Sequence, residues 1–95
     1  MKPAQRPTGR RSRYSQERAD WLAGLKSQPC PDCGRLYPPV CMDFDHVRGK
    51  KLFGIGHGWH TRALKAVEAE IAKCEVVCSN CHRIRTALRK HHGRQ

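Results

Sequence analysis

Residues 74–86, CEVVCSNCHRIRT, decide the reading of this chain when set against residues 30–46, CPDCGRLYPPVCMDFDH. Each stretch carries a C-x2-C pair, Cys30 with Cys33 and Cys78 with Cys81. In a C-x2-C turn, backbone amides point at the sulfurs while both thiolates reach one ion, and two such turns complete a tetrahedral all-cysteine zinc site. Four thiolates leave no ligand place open, so this zinc is expected to be structural. A redox role would explain one pair but not two. Three disulfides could use all six cysteines, but no export signal accompanies them, and paired spacing favours metal. Cys41 and Cys74 stand outside the pairs and read as small buried apolar residues.

The rest of the chain fits a small metal-supported domain. Ninety-five residues allow one domain with a thin core, for which a metal is a useful support. The formal charge of +11 and pI near 10.0 point to a polyanionic partner, most simply nucleic acid. No apolar run approaches a membrane span, and the basic start MKPAQRPTGRRSRYS lacks the apolar segment of a signal peptide, so a cytoplasmic location is expected.

Residues 1–13 hold Lys2, Arg6, Arg10, Arg11 and Arg13 without apolar periodicity and read as a flexible basic arm, followed by a domain over 14–90 and a tail over 91–95. SQERADWLAGLKS predicts a helix from Ser15 to about Ser27, with Trp21, Leu22 and Leu25 on one face, Ser15 as its cap and Pro29 enforcing its end. Gly34 is free to turn left-handed behind Cys33. VCMDFDHV reads as a strand, RGKK as a turn and KLFGI as the return strand of a hairpin. GIGHGWHT reads as loop. A helix capped by Thr61 and running to about Lys73 places Leu64, Val67 and Ile71 on one face. HRIRTALRKHH reads as a basic final helix.

If a metal clamps the two knuckles, it draws the start of that last helix, and His82 with it, towards Asp45 and His46. A carboxylate and an imidazole can hold a divalent ion and leave positions for water and a phosphate oxygen. A second, neutral histidine can accept a proton from water. Asp43 and Asp45 share one face of a regular strand and His46 the other, so Asp45 and His46 can serve one site only if the strand ends or bulges there; Asp43 stays a reserve ligand or a partner behind the ligands. His57 and His60 in the glycine-rich loop, and terminal His91 and His92, read as solvated. Glu68 and Glu70 read as exposed helix residues or as partners of nearby cations.

In their order, CPDCG, FDH and EIAKCEVVCSNCHRIRT resemble the HNH endonucleases, in the small phage and bacterial subgroup with a four-cysteine zinc site, over about residues 30–86. The resemblance implies a small α+β chain with the ββα-metal fold, here with two zinc knuckles and an extra N-terminal helix. It implies His46 as general base, Asp45 and His82 as ligands of a catalytic Mg²⁺, Mn²⁺ or Ni²⁺, and DNA hydrolysis leaving 5′-phosphate and 3′-hydroxyl ends. Phage terminase subunits are the partners it suggests. The family usually carries Asn where this chain has Lys73, and that Asn orients the base histidine. Arg48, Lys51, Lys73, Arg83 and Arg85 are the candidate phosphate contacts, with Lys50 and Arg89 nearby. No element reads as a base-recognition device, so low sequence specificity is expected. The competing reading is a non-catalytic zinc module that binds nucleic acid. A protein-interaction knuckle would leave the basic first thirteen residues unexplained.

Overall fold

The computed structural model describes residues 12–93, with side chains described to residue 90. Most of the predicted basic arm and the predicted tail therefore lie outside the described residues or their side chains. Among the described residues, no helix is long and apolar enough to cross a membrane.

Helix α1 spans Arg13–Leu25 and starts earlier than the spacing of its apolar residues suggested. Ser12, not Ser15, is the cap: its Oγ accepts the Ser15 amide at 3.1 Å, which satisfies one of the free N–H groups of the first turn. Leu22 is the apolar residue of α1 that is buried, while Trp21 is half-buried. Arg18 is buried beside it. Its guanidinium donates to the carbonyls of Trp59 (2.8 Å) and Arg62 (2.7 Å) and to the Tyr14 hydroxyl. This ties α1 to the loop that precedes α3.

After the first knuckle, a 3-10 turn over Pro39–Cys41 leads into strand β1, Met42–His46. Its partner is not KLFGI. Strand β2 is Cys74–Cys78, antiparallel to β1 in the register Met42↔Cys78 through His46↔Cys74, and the Val47 and Arg48 amides extend the ladder to the Lys73 carbonyl. The expected short hairpin is thus replaced by a long-range pair. The physical reason is visible in the register: it begins at Cys78, one of the clustered cysteines, so closing the knuckles aligns β2 with β1. KLFGI has no strand partner among the described residues; the Leu52 amide donates to the Glu70 carboxylate at 2.9 Å.

Between the strands lie α2, Ile55–Gly58, a single turn where a loop was expected, and α3, Leu64–Ile71. Helix α3 starts after Ala63 instead of at Thr61 and buries Val67 and Glu70. Helix α4, Ser79–Gly93, follows β2 without a break. The core is small: Cys30, Met42, Val77, Cys78 and Cys81, with Tyr37 and Val76 packed against it. Leu22, Ile55 and Val67 are buried outside this cluster, and three of its five members are cysteines, so a metal there would hold much of what the apolar residues cannot. The result is a small α+β chain with a two-stranded antiparallel sheet and a four-cysteine cluster.

Candidate functional site

The first knuckle is shaped by its own backbone. The Cys30 amide donates to the Arg35 carbonyl (2.9 Å), the Gly34 amide to the Cys30 carbonyl (2.7 Å), and Gly34 takes φ +77°, the left-handed turn expected of it. The second knuckle is the β2–α4 junction, where the Cys81 amide donates to Cys78 Sγ at 3.4 Å. The Sγ atoms of Cys30, Cys33, Cys78 and Cys81 all lie within 4.8 Å of one another, with Cys33 and Cys78 4.0 Å apart. Tetrahedral zinc with sulfur at 2.3 Å would set its sulfurs about 3.8 Å apart. The four cysteines are thus arranged to bind a metal ion. Burial raises the Cys30 thiol, but amides of Cys78, Cys33 and Asp32 outweigh it and bring its pKa down to about 6. Cys81 is pushed up to about 12, first by its hydrogen bond with Cys78 and then by burial; a coordinated cation reverses that and ionises the thiol. Cys41 and Cys74 are half-buried outside the cluster, and Cys74 donates to the Glu70 carbonyl at 3.4 Å.

On the other side of β1 an open cleft of about 500 Å³ is bounded by α1, β1, α2 and the start of α4. Asp43, His46 and His82 line it together, with Phe44 and Trp59 on an apolar wall and Lys51 among its basic residues. The knuckle clamp places them: β1 supplies Asp43 and His46, and Cys81 fixes the first turn of α4, from which His82 projects.

The two aspartates of β1 divide. Asp43 Oδ2 lies 2.9 Å from His82 Nδ1, and both side chains are partly exposed, 40% and 32%. Neighbouring ligands of an octahedral divalent ion, each at about 2.1 Å, would be about 3 Å apart, so this pair fits two such positions. Asp45 is 2% exposed, and its Oδ1 lies 3.5 Å from His82 Nε2, the opposite ring nitrogen. One imidazole cannot aim both nitrogens at one ion. Asp45 is instead gripped by Arg89 (2.8 and 2.7 Å) and Arg85 (2.8 Å). The Arg89 hydrogen bonds, against burial and with help from Arg85, bring its pKa down to about 2. Two aspartates therefore lie beside His82: Asp45, the expected one, at Nε2 behind its arginines, and Asp43, the reserve, at Nδ1 on the open side.

His46 Nε2 lies 2.9 Å from Glu70 Oε2, across from β1 on α3. Glu70 is 1% exposed, so of its two expected readings the exposed one fails and the pairing with a nearby cation, Lys73, holds. Burial alone would raise its pKa, but the Lys73 ammonium at 2.9 Å, the Leu52 amide and His46 hold it down at about 2. Lys73 also donates to the Lys50 carbonyl at 2.6 Å, and its stem lies 3.6 Å from the position of a Cβ on Gly49, which turns at φ +70°. The loop over residues 48–52 is thereby fastened to α3.

The candidate phosphate contacts also divide. Lys73 is committed to Glu70 and Lys50. Arg85 is shared among Asp32 (2.6 Å), Asp45 (2.8 Å) and Glu75 (2.8 Å), which raises its pKa further. Arg48 donates to the Ala72 carbonyl at 2.6 Å. Lys51, which lines the cleft, and Arg83 on α4 are exposed and make no ion pair among the described residues; Lys26, also on the cleft wall, lies over the Phe44 ring. His57 and His60 are exposed, as expected.

The contact of Glu70 with His46 and the role of Asp32 are what sequence reasoning missed. A signal for Glu70 was present: it lies three residues from both Val67 and Lys73, on the apolar stripe of α3. Asp32 carried no signal, because its partner Arg85 comes from a distant helix. Compared with known proteins, the chain matches no family model, and no curated protein or solved structure shows significant similarity to it.

Proposed function

We propose that the protein is a metal-dependent endonuclease of the HNH type acting on DNA, with structural zinc on Cys30, Cys33, Cys78 and Cys81. The observation that carries this reading is the cleft onto which Asp43, His46 and His82 converge beside the four-thiol centre. A purely structural metal module has no use for two imidazoles and a half-exposed carboxylate at one opening.

In this reading Asp43 Oδ2 and His82 Nδ1 would hold one divalent ion, Mg²⁺, Mn²⁺ or Ni²⁺, the place the resemblance gives to Asp45 and His82. When bound, that ion supplies positive charge to the scissile phosphate and the leaving oxygen. His46 accepts a proton from the attacking water, the water oxygen bonds to phosphorus, and the bond from phosphorus to the 3′ oxygen breaks. That oxygen then takes a proton from solvent. Lys51 and Arg83 hold flanking phosphates, and the absence of any base-reading element in the sequence favours low sequence specificity. One such site cuts one strand per encounter. Association with phage DNA-packaging subunits rests on the sequence resemblance alone.

A second reading, a non-catalytic zinc module that binds nucleic acid, is favoured by one feature: Asp45, the carboxylate implied as ligand, is occupied by two arginines. The test is supercoiled plasmid incubated with wild-type and His46→Ala protein in EDTA, Mg²⁺, Mn²⁺ or Ni²⁺, with zinc measured in both. Nicking by wild type alone, at equal zinc content, is expected. Absence of cleavage with every metal by a zinc-loaded protein that binds DNA would establish the second reading.

A further inference from the structure

We propose that Glu70 is the positioning residue for His46: its buried carboxylate accepts Nε2–H and so leaves Nδ1 as the nitrogen that takes the proton. The assignment rests on the nuclease reading for its catalytic meaning, but its structural content stands without it.

The hydrogen-bond chemistry leaves little freedom. Glu70 Oε2 receives the Leu52 amide at 2.9 Å and Oε1 receives the Lys73 ammonium at 2.9 Å. An ammonium and an amide have only protons to offer, so both oxygens are acceptors. A carboxylate in that state can join His46 Nε2 at 2.9 Å only by accepting, and the ring must donate. The neutral imidazole that results carries its lone pair on Nδ1. Among the described residues Nδ1 has no hydrogen-bond partner, and His46 lines the cleft shared with Asp43 and His82.

Burial gives the arrangement its stiffness. A fully buried carboxylate is costly in a chain with so small a core, and it persists only where donors surround it. Glu70 has three from three segments: β1, the loop over residues 48–52, and the turn that follows α3. Lys73, one turn away on the same side, neutralises it and donates to the Lys50 carbonyl, which closes the loop over the dyad. The side chain of His46, which lines the cleft, is 14% exposed and that of Glu70 1%.

The tautomer can be read directly by ¹⁵N NMR of His46 in zinc-loaded protein in alkaline buffer, with no DNA or second metal. Wild type is expected to show the Nε2–H form. In Glu70→Gln, whose amide can donate as well as accept, the ring is expected to shift towards a mixture. In single-turnover cleavage the same variant is expected to lose roughly 10- to 100-fold in rate, the usual cost of removing an outer partner of a working histidine, with the DNA concentration for half-maximal rate unchanged. An Nδ1–H or doubly protonated His46 in wild type overturns the assignment, even if Glu70→Gln fails to fold. So does a tautomer that is unchanged in a folded Glu70→Gln. If wild type cleaves nothing, the nuclease reading fails, and the NMR result still decides whether Glu70 sets the tautomer.

Discussion

The two aspartates of β1 should fail in opposite ways when their charge is removed. Asp45 is 2% exposed and bonded to two guanidiniums, so Asp45→Asn leaves those cations facing an amide in a closed space. Removing one partner of a fully buried pair costs about 3–5 kcal/mol. Two features reduce that here: Arg89 is 49% exposed, and Arg85 keeps Asp32 and Glu75. About 2 kcal/mol remains after that discount. For a chain of this size that is a shift of about 8–15 °C in the melting midpoint. The pH dependence has a definite sign. The folded pKa of Asp45 lies at about 2, below its ordinary 3.8, so its contribution is complete above the ordinary value and fades as pH falls towards 2. The assay is thermal or urea unfolding of zinc-loaded wild type, Asp45→Asn and Asp43→Asn, at neutral pH and at successively lower pH. The gap between wild type and Asp45→Asn should narrow in acid, while Asp43→Asn melts like wild type but loses divalent-metal binding and cleavage. Asp45→Asn as stable as wild type, yet dead to metal, would refute the division and return Asp45 to the ligand role.

Removing the metal from the cysteine cluster, by chelation or by Cys78→Ser, should cost most of the folded structure, because structural zinc sites supply about 10 kcal/mol or more and the core beside them is small; far-UV circular dichroism against zinc content checks this. Gly58→Ala should destabilise by about 1–3 kcal/mol, since the added methyl would stand 2.3 Å from the Phe53 ring, and a melt with an unchanged midpoint would contradict it. Arg83→Ala should weaken DNA binding across sequences and lower the salt slope by about 1. Arg85→Ala should instead lower stability with little change in slope, because its guanidinium already serves three carboxylates; fluorescence anisotropy over a salt series separates the two.

Local signals in the sequence carried further than long-range ones. The cysteine pairs are visible as spacing, because a C-x2-C turn is built by its own backbone, and Gly34 follows from the same turn. Helices α1 and α3 are visible as periodicity, with starts displaced by two or three residues: in α1 the hydroxyl that reaches an amide is that of Ser12, and α3 begins after Ala63 with no side-chain cap. The partner of β1 was misread for a reason that no local pattern could correct. KLFGI and CEVVC are both short, apolar and near a turn, and the choice between them is made by the four-cysteine cluster, which lies at the end of only one of them.

The same cause explains the site. His46 and His82 could be matched to one opening because the clamp acts on both. Yet the roles of Asp43, Asp45 and Glu70 depend on what α4 and α3 bring to β1 from the far side. Arg85 and Arg89 are one helical turn apart, so α4 offers Asp45 two cations at once, and the aspartate withdraws behind them. His82, nearly one turn earlier on α4, is then left for Asp43. On the opposite face, α3 offers His46 a carboxylate instead of an amide. A buried carboxylate needs a counter-charge within reach, and Lys73, three residues on, is placed to give it. Lys73 therefore looked like a departure while Glu70 looked like surface, although each explains the other. If that coupling is right, Lys73→Met should be more damaging to stability than the double change Glu70→Gln with Lys73→Met, which removes the stranded charge as well. Urea unfolding of the three proteins at equal zinc content tests it. A double variant less stable than Lys73→Met would mean that Glu70 stabilises the fold without Lys73, and the pair would have to be treated as two independent contacts.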